Sequence, residues 1–334
     1  MMKKVTIYEV AAEADVSLAT VSRVINGSDL VKDTTRLRVE AAIDKLGYKP
    51  NAVARSLALK RSTTIALVVP EASFGFTGQI INGLLDVAKI YNYNIYLHTI
   101  TEGIVDIKDV IDTIIKSRVD GVVIYNDRLG NVDLKELATY NIPIVFIGNK
   151  LRSHNISSVY VDIEMAIYEL AQKFFDEGVT EISVLQDRKN EYAASQIVLG
   201  VEKACKEKGK EFTDFINIPP EYRSSYTFLT EYFKTNKPEV VIANRDSQAI
   251  AVINAATEAG YRVPEDIQVV CVIDTKYNKM LRPQLSSFAM PSYDLGAVAM
   301  RMMTKQLDDS IEEEDINHNI ELSYVYTPRK STLN

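Results

Sequence analysis

Residues 14–28 read ADVSLATVSRVINGS, and this stretch decides how the N-terminal part of the chain folds. Ser17 is a good helix N-cap, and Gly27 suits the left-handed turn that follows a helix. On a helix between them, Val21, Val24 and Ile25 fall on one side. The other side carries short or polar residues and one arginine: Ser17, Leu18, Ala19, Thr20, Ser22 and Arg23. Such a face is typical neither of a core nor of a solvated surface, and it predicts contact with another molecule.

Two further helices are predicted around this one. In TIYE, residues 6–9, Thr6 can cap a helix while Glu9 reaches back to it, and an apolar stripe follows at Ile7, Val10, Ala11 and Ala14. The third helix runs over about 33–46, with Val39, Ala42, Ile43 and Leu46 inward and Gly47 closing it. Residues 13–16 alone separate the first two helices, which is about the length of the turn in a helix-turn-helix.

A helix-turn-helix places its second helix in the DNA major groove, with the N-terminal residues of that helix against the base edges. Small and polar side chains let the backbone enter the groove, and Arg23 can bind guanine in bidentate fashion. Serine and threonine hydroxyls can bind phosphates or bases. We therefore predict a DNA-binding headpiece over residues 1–48.

The charge distribution agrees with this prediction. The chain has a net charge of −7, but residues 1–61 contain 11 Lys and Arg against 7 Asp and Glu. A basic head on an acidic body indicates that only the head meets an anionic polymer.

The overall composition bounds the class of protein. With 334 residues, 46% hydrophobic and 25% charged, the chain is expected to form two or three globular domains. No apolar run approaches the roughly 18–20 residues that span a bilayer, and the N-terminus does not resemble a secretory signal. Cys205 and Cys271 are expected to be packed thiols in a reducing compartment. We therefore expect a cytoplasmic protein.

From about residue 64 onward, short β-rich runs alternate with amphipathic helical stretches. The first series has strand candidates at 65–70, 94–98, 120–125, 142–148 and 158–162, with helices around 77–91, 106–117 and 133–140. A second series follows, with helices near 163–178, 193–208 and 246–260 and strands at 181–186, 238–243 and 267–272. Two such series predict two doubly wound parallel sheets with a ligand cleft where they meet.

Motifs of catalysis are missing from the sequence. No phosphate loop, dinucleotide fingerprint, GxSxG or HExxH motif occurs, and the three histidines are scattered. We expect no enzymatic activity, no cofactor and no metal.

The segment YKPNAVARSLALKRS, residues 48–62, joins the head to the body. Pro50 breaks the preceding helix, and Asn51 can cap a short new one that is marginal in water without a partner. The alternative is a plain tether.

Taken together, VTIYEVAAEADVSLATVSRVINGS and LGYKPNAVARSLA resemble the N-terminus of the LacI/GalR family of bacterial transcription regulators. The resemblance implies an all-α helix-turn-helix headpiece and an α/β, periplasmic-binding-protein-like core of two subdomains. The implied division is 1–48 for the headpiece, 49–62 for a hinge helix, 63–161 with about 291–320 for one subdomain, and 162–290 with about 321–334 for the other.

The resemblance also implies a bacterial homodimer on a pseudo-palindromic operator, associated with the nucleoid when it is bound to DNA. By resemblance, the hinge helix forms on DNA, Leu57 wedges between base pairs, and Asn51, Ala54 and Ser56 lie along the minor groove. The other DNA-contacting positions implied or predicted are Thr6, Tyr8, Ser17, Leu18, Ala19, Thr20, Ser22, Arg23, Asn26 and Tyr48.

Sugar-responsive members of the family bind their effector with an arginine and an aspartate that this chain replaces. Ile197, in IVLGV, stands in the place of the arginine, and Ile273, in CVIDT, in that of the aspartate. Isoleucine leaves sugar hydroxyls unpaired, which is strongly unfavourable. The sequence therefore predicts a poor sugar site, although a small anion could still enter it. The candidate cleft residues are Ser73, Phe76, Asp246 and Asp274.

A second signature lies in PSYDLGAVAMRMMTK, residues 291–305, which is similar to the carbon-catabolite-control subgroup of the family. The corepressor of that subgroup is HPr phosphorylated on a serine. On a helix, Ala297, Arg301 and Lys305 share a face, and two cations one turn apart suit a phosphoserine. A second match is LLDVAKIYNYNI, residues 84–95, in which Asp86, Tyr91 and Tyr93 stand at positions that contact HPr in that subgroup. The corepressor site implied or predicted is therefore the following set: Asp86, Tyr91, Tyr93, Tyr293, Asp294, Ala297, Arg301 and Lys305. The alternative is a solvated helix face.

Three functional hypotheses follow. The first is a DNA-binding regulator of carbon catabolite control with serine-phosphorylated HPr as corepressor and sugar phosphates as possible adjunct effectors. The second is a repressor of a single sugar operon that responds to a small sugar or sugar phosphate in the cleft. The third is a free-standing binding or enzymatic α/β protein, which the intact headpiece argues against.

Overall fold

The computed structural model describes residues 5–25, 27–48, 62–70, 75–100, 107–125, 139–140, 142–148, 150, 156–187, 191–212 and 214–333. The chain divides into two compact units, Met1–Thr63 and Thr64–Asn334, which are called the headpiece and the core below.

The headpiece contains three helices: α1 (Ile7–Glu13), α2 (Leu18–Ile25) and α3 (Asp33–Leu46). Their inward faces form one small apolar cluster, in which Val10, Val21 and Val39 are fully buried. Ile7, Ala11, Ile25, Ile43 and Leu46 pack around it. The three predicted apolar stripes are therefore confirmed.

The ends of these helices follow the predicted capping chemistry. The Glu9 carboxylate accepts a hydrogen bond from the Thr6 backbone N–H at 2.7 Å. The Ser17 hydroxyl accepts one from the Thr20 N–H at 3.1 Å, which satisfies a donor in the first turn of α2. Gly27 and Gly47 have φ values of +72° and +63°, so both helices end on a residue in the left-handed region.

Lobe 1 of the core is built on a sheet of β1 (Thr64–Val69), β2 (Asn94–Thr99), β3 (Gly121–Tyr125), β4 (Ile144–Gly148), β5 (Ile156–Tyr160) and β11 (Asn319–Glu321). The strand order is β11-β5-β4-β3-β1-β2, and every pairing is parallel. Helices α4 (Gly75–Ile90) and α11 (Ser292–Gln306) cover one face, and α5 (Ile107–Lys116) covers the other.

Lobe 2 is built on β6 (Ile182–Asp187), β7 (Phe215–Ile218), β8 (Val240–Ala243), β9 (Gln268–Cys271), β10 (Ser286–Ala289) and β12 (Val325–Thr327). The order is β12-β10-β9-β8-β6-β7, and only the β10–β12 pair is antiparallel. Helices α6 (Ile163–Asp176) and α7 (Glu191–Glu207) cover one face, while α8 (Tyr222–Tyr232) and α9 (Asp246–Glu258) cover the other. A short helix, α10 (Lys276–Met280), follows β9.

Successive residues of the central strands enter opposite cores, as a doubly wound sheet requires. In β1, Ile65, Leu67 and Val69 pack under α4 and α11, whereas Ala66 and Val68 pack under α5. The predicted fold of a helix-turn-helix headpiece and two doubly wound subdomains is confirmed.

Several details lay beyond the sequence prediction. Strand β7 and helix α8 fall in a stretch for which no element had been predicted, and most of the helix predicted at 133–140 lies outside the described residues. Cys205 and Cys271 are buried and free, as expected. No helix in the described part of the chain has the length and apolarity needed to cross a membrane.

Candidate functional site

The first candidate site is the outward face of α2 together with the start of α1. Ser17, Leu18, Ala19 and Arg23 are exposed, and Thr20 and Ser22 are half-buried beside them. Tyr8 is 70% exposed and Thr6 is exposed as well. Arg23 forms no ion pair with any residue that the structure describes, so its guanidinium is available to an external acceptor. The arrangement can present one cation and several hydroxyls to a polyanion.

The remaining predicted DNA contacts divide into two groups. Tyr48 lies at the end of the described headpiece and packs partly against its apolar cluster. Asn26, Asn51, Ala54, Ser56, Leu57 and the hinge segment from 49 to 61 lie outside the described residues.

The second candidate site lies where α4 and α11 cross in lobe 1. A Cβ atom added to Gly83 would stand 1.9 Å from the backbone oxygen of Tyr293, and one added to Gly296 would stand 2.0 Å from that of Ile80. Because two glycines face the opposite helix, the backbones approach more closely than side chains would allow. The crossing brings together two segments that the sequence separates by about 200 residues.

This crossing joins the two predicted parts of the corepressor site. The Tyr293 hydroxyl donates a hydrogen bond to the Asp86 carboxylate at 2.9 Å, and this bond raises the pKa of Tyr293 above its ordinary value. Arg301 lies near enough to oppose that increase electrostatically. Arg301 and Lys305 are both exposed, and neither has an ion pair with a described carboxylate.

The other predicted members occupy different positions around the crossing. Tyr91 is 51% exposed, and Asp294 is exposed in the first turn of α11. Tyr93 packs partly against the lobe 1 core instead. Ala297 is only 7% exposed, since it lies at the contact with Gly83, so it forms the base beneath Arg301 and does not share its exposed face. The members of the predicted corepressor site that are exposed are therefore the following: Asp86, Tyr91, Tyr293, Asp294, Arg301 and Lys305.

The third candidate site is a cavity of about 280 Å³ between the two lobes. Phe76 and Tyr125 form an aromatic wall in lobe 1, with ring centroids 5.7 Å apart. Lobe 2 contributes the following residues: Arg245, Asp246, Ser247, Ile273, Thr275 and Tyr277. The Asp246 carboxylate accepts hydrogen bonds from the Thr275 hydroxyl and the Ser247 N–H, both at 2.7 Å. The cavity thus offers one cation, one carboxylate and aromatic rings to a small molecule.

One described candidate cleft residue, Asp274, does not line this cavity. Asp274 turns away from it and forms an ion pair with Arg329 at 3.0 Å. Ser73 lies outside the described residues. Ile197, in the place of a sugar-binding arginine, is fully buried in the lobe 2 core, whereas Ile273 does line the cavity.

Sequence reasoning missed Tyr125 and Arg245 as cleft residues. Tyr125 is the last residue of β3, and Arg245 comes two residues after the end of β8. Ligands of open parallel sheets bind beyond the carboxyl ends of the strands, so this position was the available signal. Within the described ranges, no three His, Cys, Asp or Glu side chains are grouped as a metal ion would require.

Comparison with known proteins agrees with this architecture. Residues 6–51 match the model of the bacterial regulatory proteins of the lacI family, and residues 171–332 match a periplasmic binding protein-like domain. Catabolite control protein A of Staphylococcus epidermidis is 34% identical over 331 residues, which cover 98% of this chain and 99% of that protein.

Solved structures extend the likeness to the fold. A lac repressor dimer bound to operator and the anti-inducer ONPF has a TM-score of 0.86 at 24% identity, over 99% of this chain and 100% of that one. Transcription regulator CcpA of Lactococcus lactis has a TM-score of 0.69 at 25% identity, over 80% and 98% of the two chains. The family model on the headpiece and the nearly full-length relatives lead to one conclusion: this chain belongs to the LacI family of DNA-binding bacterial transcription regulators.

Proposed function

We propose that this regulator acts in carbon catabolite control as a homodimer, with serine-phosphorylated HPr as the corepressor that raises its affinity for a pseudo-palindromic operator. The observation that carries the proposal is the helix crossing in lobe 1, where Tyr293 and Asp86 are joined and two exposed cations stand beside them. The relatives named catabolite control protein A support it.

The chemistry of the α4–α11 crossing fits a phosphoprotein. Arg301 and Lys305 are one helical turn apart on α11, so both can reach one phosphate group. An arginine binds a phosphate with two parallel hydrogen bonds, and these charge-assisted bonds are roughly twice as strong as neutral ones. Tyr91 and Tyr293 add exposed aromatic area, which is the usual anchor of a protein interface.

The proposed coupling follows from thermodynamic linkage. A partner that binds one arrangement of the two lobes more tightly shifts the population toward that arrangement. If that arrangement also brings the two hinge segments of a dimer together, the same partner tightens DNA binding. The face of α2 with Arg23 would then meet the bases of each half-site.

Exposed apolar side chains support the homodimer. Lobe 1 exposes Ile90, Tyr96 and Leu97 near the edge strand β2, which has one sheet neighbour among the described strands. Lobe 2 exposes Tyr277 and Met280, the latter by 69%. Apolar area on both lobes is what an obligate interface would cover.

Replacing Arg301 tests the corepressor site directly. We expect Arg301→Gln to weaken binding of serine-phosphorylated HPr by about 10- to 150-fold, because charged hydrogen bonds contribute about 1.5–3 kcal/mol. Isothermal titration calorimetry with phosphorylated HPr measures this change.

Lys206→Gln is the matched control, since Lys206 is an exposed helical cation in the last turn of α7 in the other lobe. Operator affinity without HPr should be the same in both variants. If wild type and Arg301→Gln bind phosphorylated HPr equally tightly, the proposed corepressor site is wrong.

The second candidate function is a repressor that responds to a small molecule in the inter-lobe cavity. Arg245 and Asp246 favour it, because they present opposite charges to one 280 Å³ space. Calorimetric titration with a panel of sugars and sugar phosphates tests this candidate. Binding that disappears in Asp246→Asn and changes operator affinity would favour it over the phosphoprotein.

A further inference from the structure

The most buried ion pair among the described residues lies outside the sites discussed above. Arg329 and Asp274 are joined at 3.0 Å, and their side chains are only 9% and 14% exposed. Every other ion pair between described residues has at least one partner whose side chain is more than 30% exposed. An ion pair shielded from water holds its geometry more firmly than one at the surface.

Both members of this pair are fixed by further hydrogen bonds. The Arg329 guanidinium donates to the Leu285 carbonyl at 2.7 Å and to the Ser287 hydroxyl at 2.5 Å. The Ser287 hydroxyl donates to the Asp274 carboxylate at 2.9 Å. The Arg329 backbone N–H donates to the Ser286 hydroxyl at 2.8 Å. The pair is therefore a fixed joint between β10 and the C-terminal segment.

One member of the pair, Asp274, lies directly behind the wall of the inter-lobe cavity. Ile273 and Thr275 flank Asp274 in sequence and both line the cavity. Thr275 also donates to Asp246, another lining residue. A displacement of Asp274 would therefore move the cavity wall on both sides of it.

The other member of the pair, Arg329, follows a segment in which the chain passes from lobe 1 to lobe 2. Strand β11 pairs with β5 in lobe 1, and only three residues later β12 pairs with β10 in lobe 2. Arg329 follows β12 by two residues. This segment, residues 319–329, is called the crossover below.

The crossover is held in both lobes by phenol–carboxylate hydrogen bonds. Tyr160, at the end of β5, donates to Glu321 at 3.2 Å. Tyr324 donates to Glu169 on α6 at 2.8 Å, and its ring packs edge-on against Phe288 of β10. A short segment fixed at both ends transmits displacement, because little of it is free to absorb the movement.

We propose that Arg329 is a positioning residue that couples the cavity wall to the crossover. Through Asp274 it holds Ile273 and Thr275 in a fixed relation to the crossover, one of the segments by which the chain passes between the lobes. A ligand that displaces the cavity wall would then also change the angle between the lobes, and a change in that angle would displace the cavity wall. The role of that angle in DNA binding rests on the function proposed above, whereas the coupling itself does not.

A purely structural role can be separated from a coupling role by replacing the whole pair with apolar residues. Buried ion pairs replaced in this way by side chains of similar volume are often neutral or stabilising. The variant Asp274→Leu with Arg329→Met should therefore fold with a thermal midpoint close to that of the wild type. Removing one partner alone leaves a buried charge and is expected to destabilise the fold.

Hydrogen–deuterium exchange of the full-length protein without any ligand gives the first readout. In the double variant we expect amides of both 273–277 and 319–324 to exchange about tenfold faster, because both depend on the joint. The matched control is Arg262→Met with Asp266→Leu, which removes a more exposed ion pair from the same lobe. It should leave both segments unchanged.

Faster exchange at 273–277 with unchanged exchange at 319–324 would overturn the proposal, since the joint would then be local. If the double variant does not fold, Arg329→Lys serves with the same two segments, because it keeps a cation beside Asp274 but loses the planar guanidinium hydrogen bonds, and unchanged exchange in 319–324 again overturns the proposal. The second readout is the response of operator affinity to serine-phosphorylated HPr. A wild type that lacks this response contradicts the proposed function and leaves the exchange result standing.

Discussion

Arg23 is the residue of the headpiece whose exposed side chain is best placed for the proposed contact with DNA. It stands on the side of α2 opposite the buried Val21 and Val24, and it has no ion pair with a described residue. A surface arginine free of intramolecular carboxylates keeps its five donors for an external acceptor. The small neighbours Ser17 and Ala19 leave room for the helix to approach a groove.

Replacing Arg23 should therefore change DNA affinity without changing stability. We expect Arg23→Ala to weaken operator binding by about 1–3 kcal/mol, roughly 5- to 150-fold in Kd, because a bidentate contact to guanine is lost. Fluorescence anisotropy at fixed salt measures the affinity, and circular dichroism measures the thermal midpoint. Arg38→Ala, at an exposed position of α3, is the control and should have a smaller effect. Equal losses in the two variants would mean that only overall charge matters.

Individual residues also mark the limit of sequence reasoning. The caps at Ser17 and Gly27 were predictable because their effects are local. The position of Asp274 was not, since it depends on Arg329, which lies 55 residues further along the chain. Asp274 comes one position after Ile273, where a cleft residue was expected, and its carboxylate pairs with Arg329 instead of entering the cavity.

At the scale of elements, the crossing of α4 and α11 positions the proposed partner surface. Gly83 and Gly296 each face backbone atoms of the opposite helix, so neither position has room for a methyl group. The close contact fixes Asp86 of one helix against Tyr293 of the other.

An alanine at either contact glycine should separate these helices. We expect Gly83→Ala to lower the free energy of unfolding by about 1–3 kcal/mol, as overpacked cores do, and to weaken the binding of phosphorylated HPr. Gly78→Ala is the matched control on the same helix, since nothing lies within 4 Å of its added Cβ. It should stabilise the protein by about 0.5–1 kcal/mol. Urea denaturation measures both, and an unchanged stability of Gly83→Ala would contradict the close crossing.

The elements that the sequence predicted share strong periodicity. Strands such as β1 and β3 are continuous apolar runs, and α6 buries a stripe of five residues: Ala166, Ile167, Leu170, Ala171 and Phe174. Strand β7 has only four residues, and α8 buries just Ser225 and Leu229 among its eleven. Elements that are this short, or that bury so few residues, owe their structure to packing against the rest of lobe 2, which local pattern does not encode.

At the scale of the whole molecule, the sequence predicted the family and the order of the two lobes. It did not predict the partner surfaces in full, because these form where segments far apart in the sequence come together in the fold. The proposed homodimer is the clearest example. Edge strand β2 exposes Leu97 by 43%, and an edge strand with exposed apolar residues is a natural site of association.

A charge on this edge should dissociate the dimer. We expect Leu97→Lys to shift the protein toward monomer in sedimentation velocity, because two like charges would then be buried across a two-fold interface. Operator affinity should fall with it, since one headpiece reads only one half-site. Leu199→Lys, with a leucine that is 42% exposed on α7, is the matched control. Dimers that persist in Leu97→Lys would place the interface elsewhere.

The most direct test of the account is fluorescence anisotropy of the full-length protein on a labelled pseudo-palindromic operator at one stated salt concentration. Unphosphorylated HPr, serine-phosphorylated HPr, and a panel of sugars and sugar phosphates are added in turn. We predict that serine-phosphorylated HPr alone tightens binding, and that Arg301→Gln abolishes this effect. Tightening or release caused only by a small sugar, with no response to phosphorylated HPr, would contradict the account and favour a repressor controlled through its cleft.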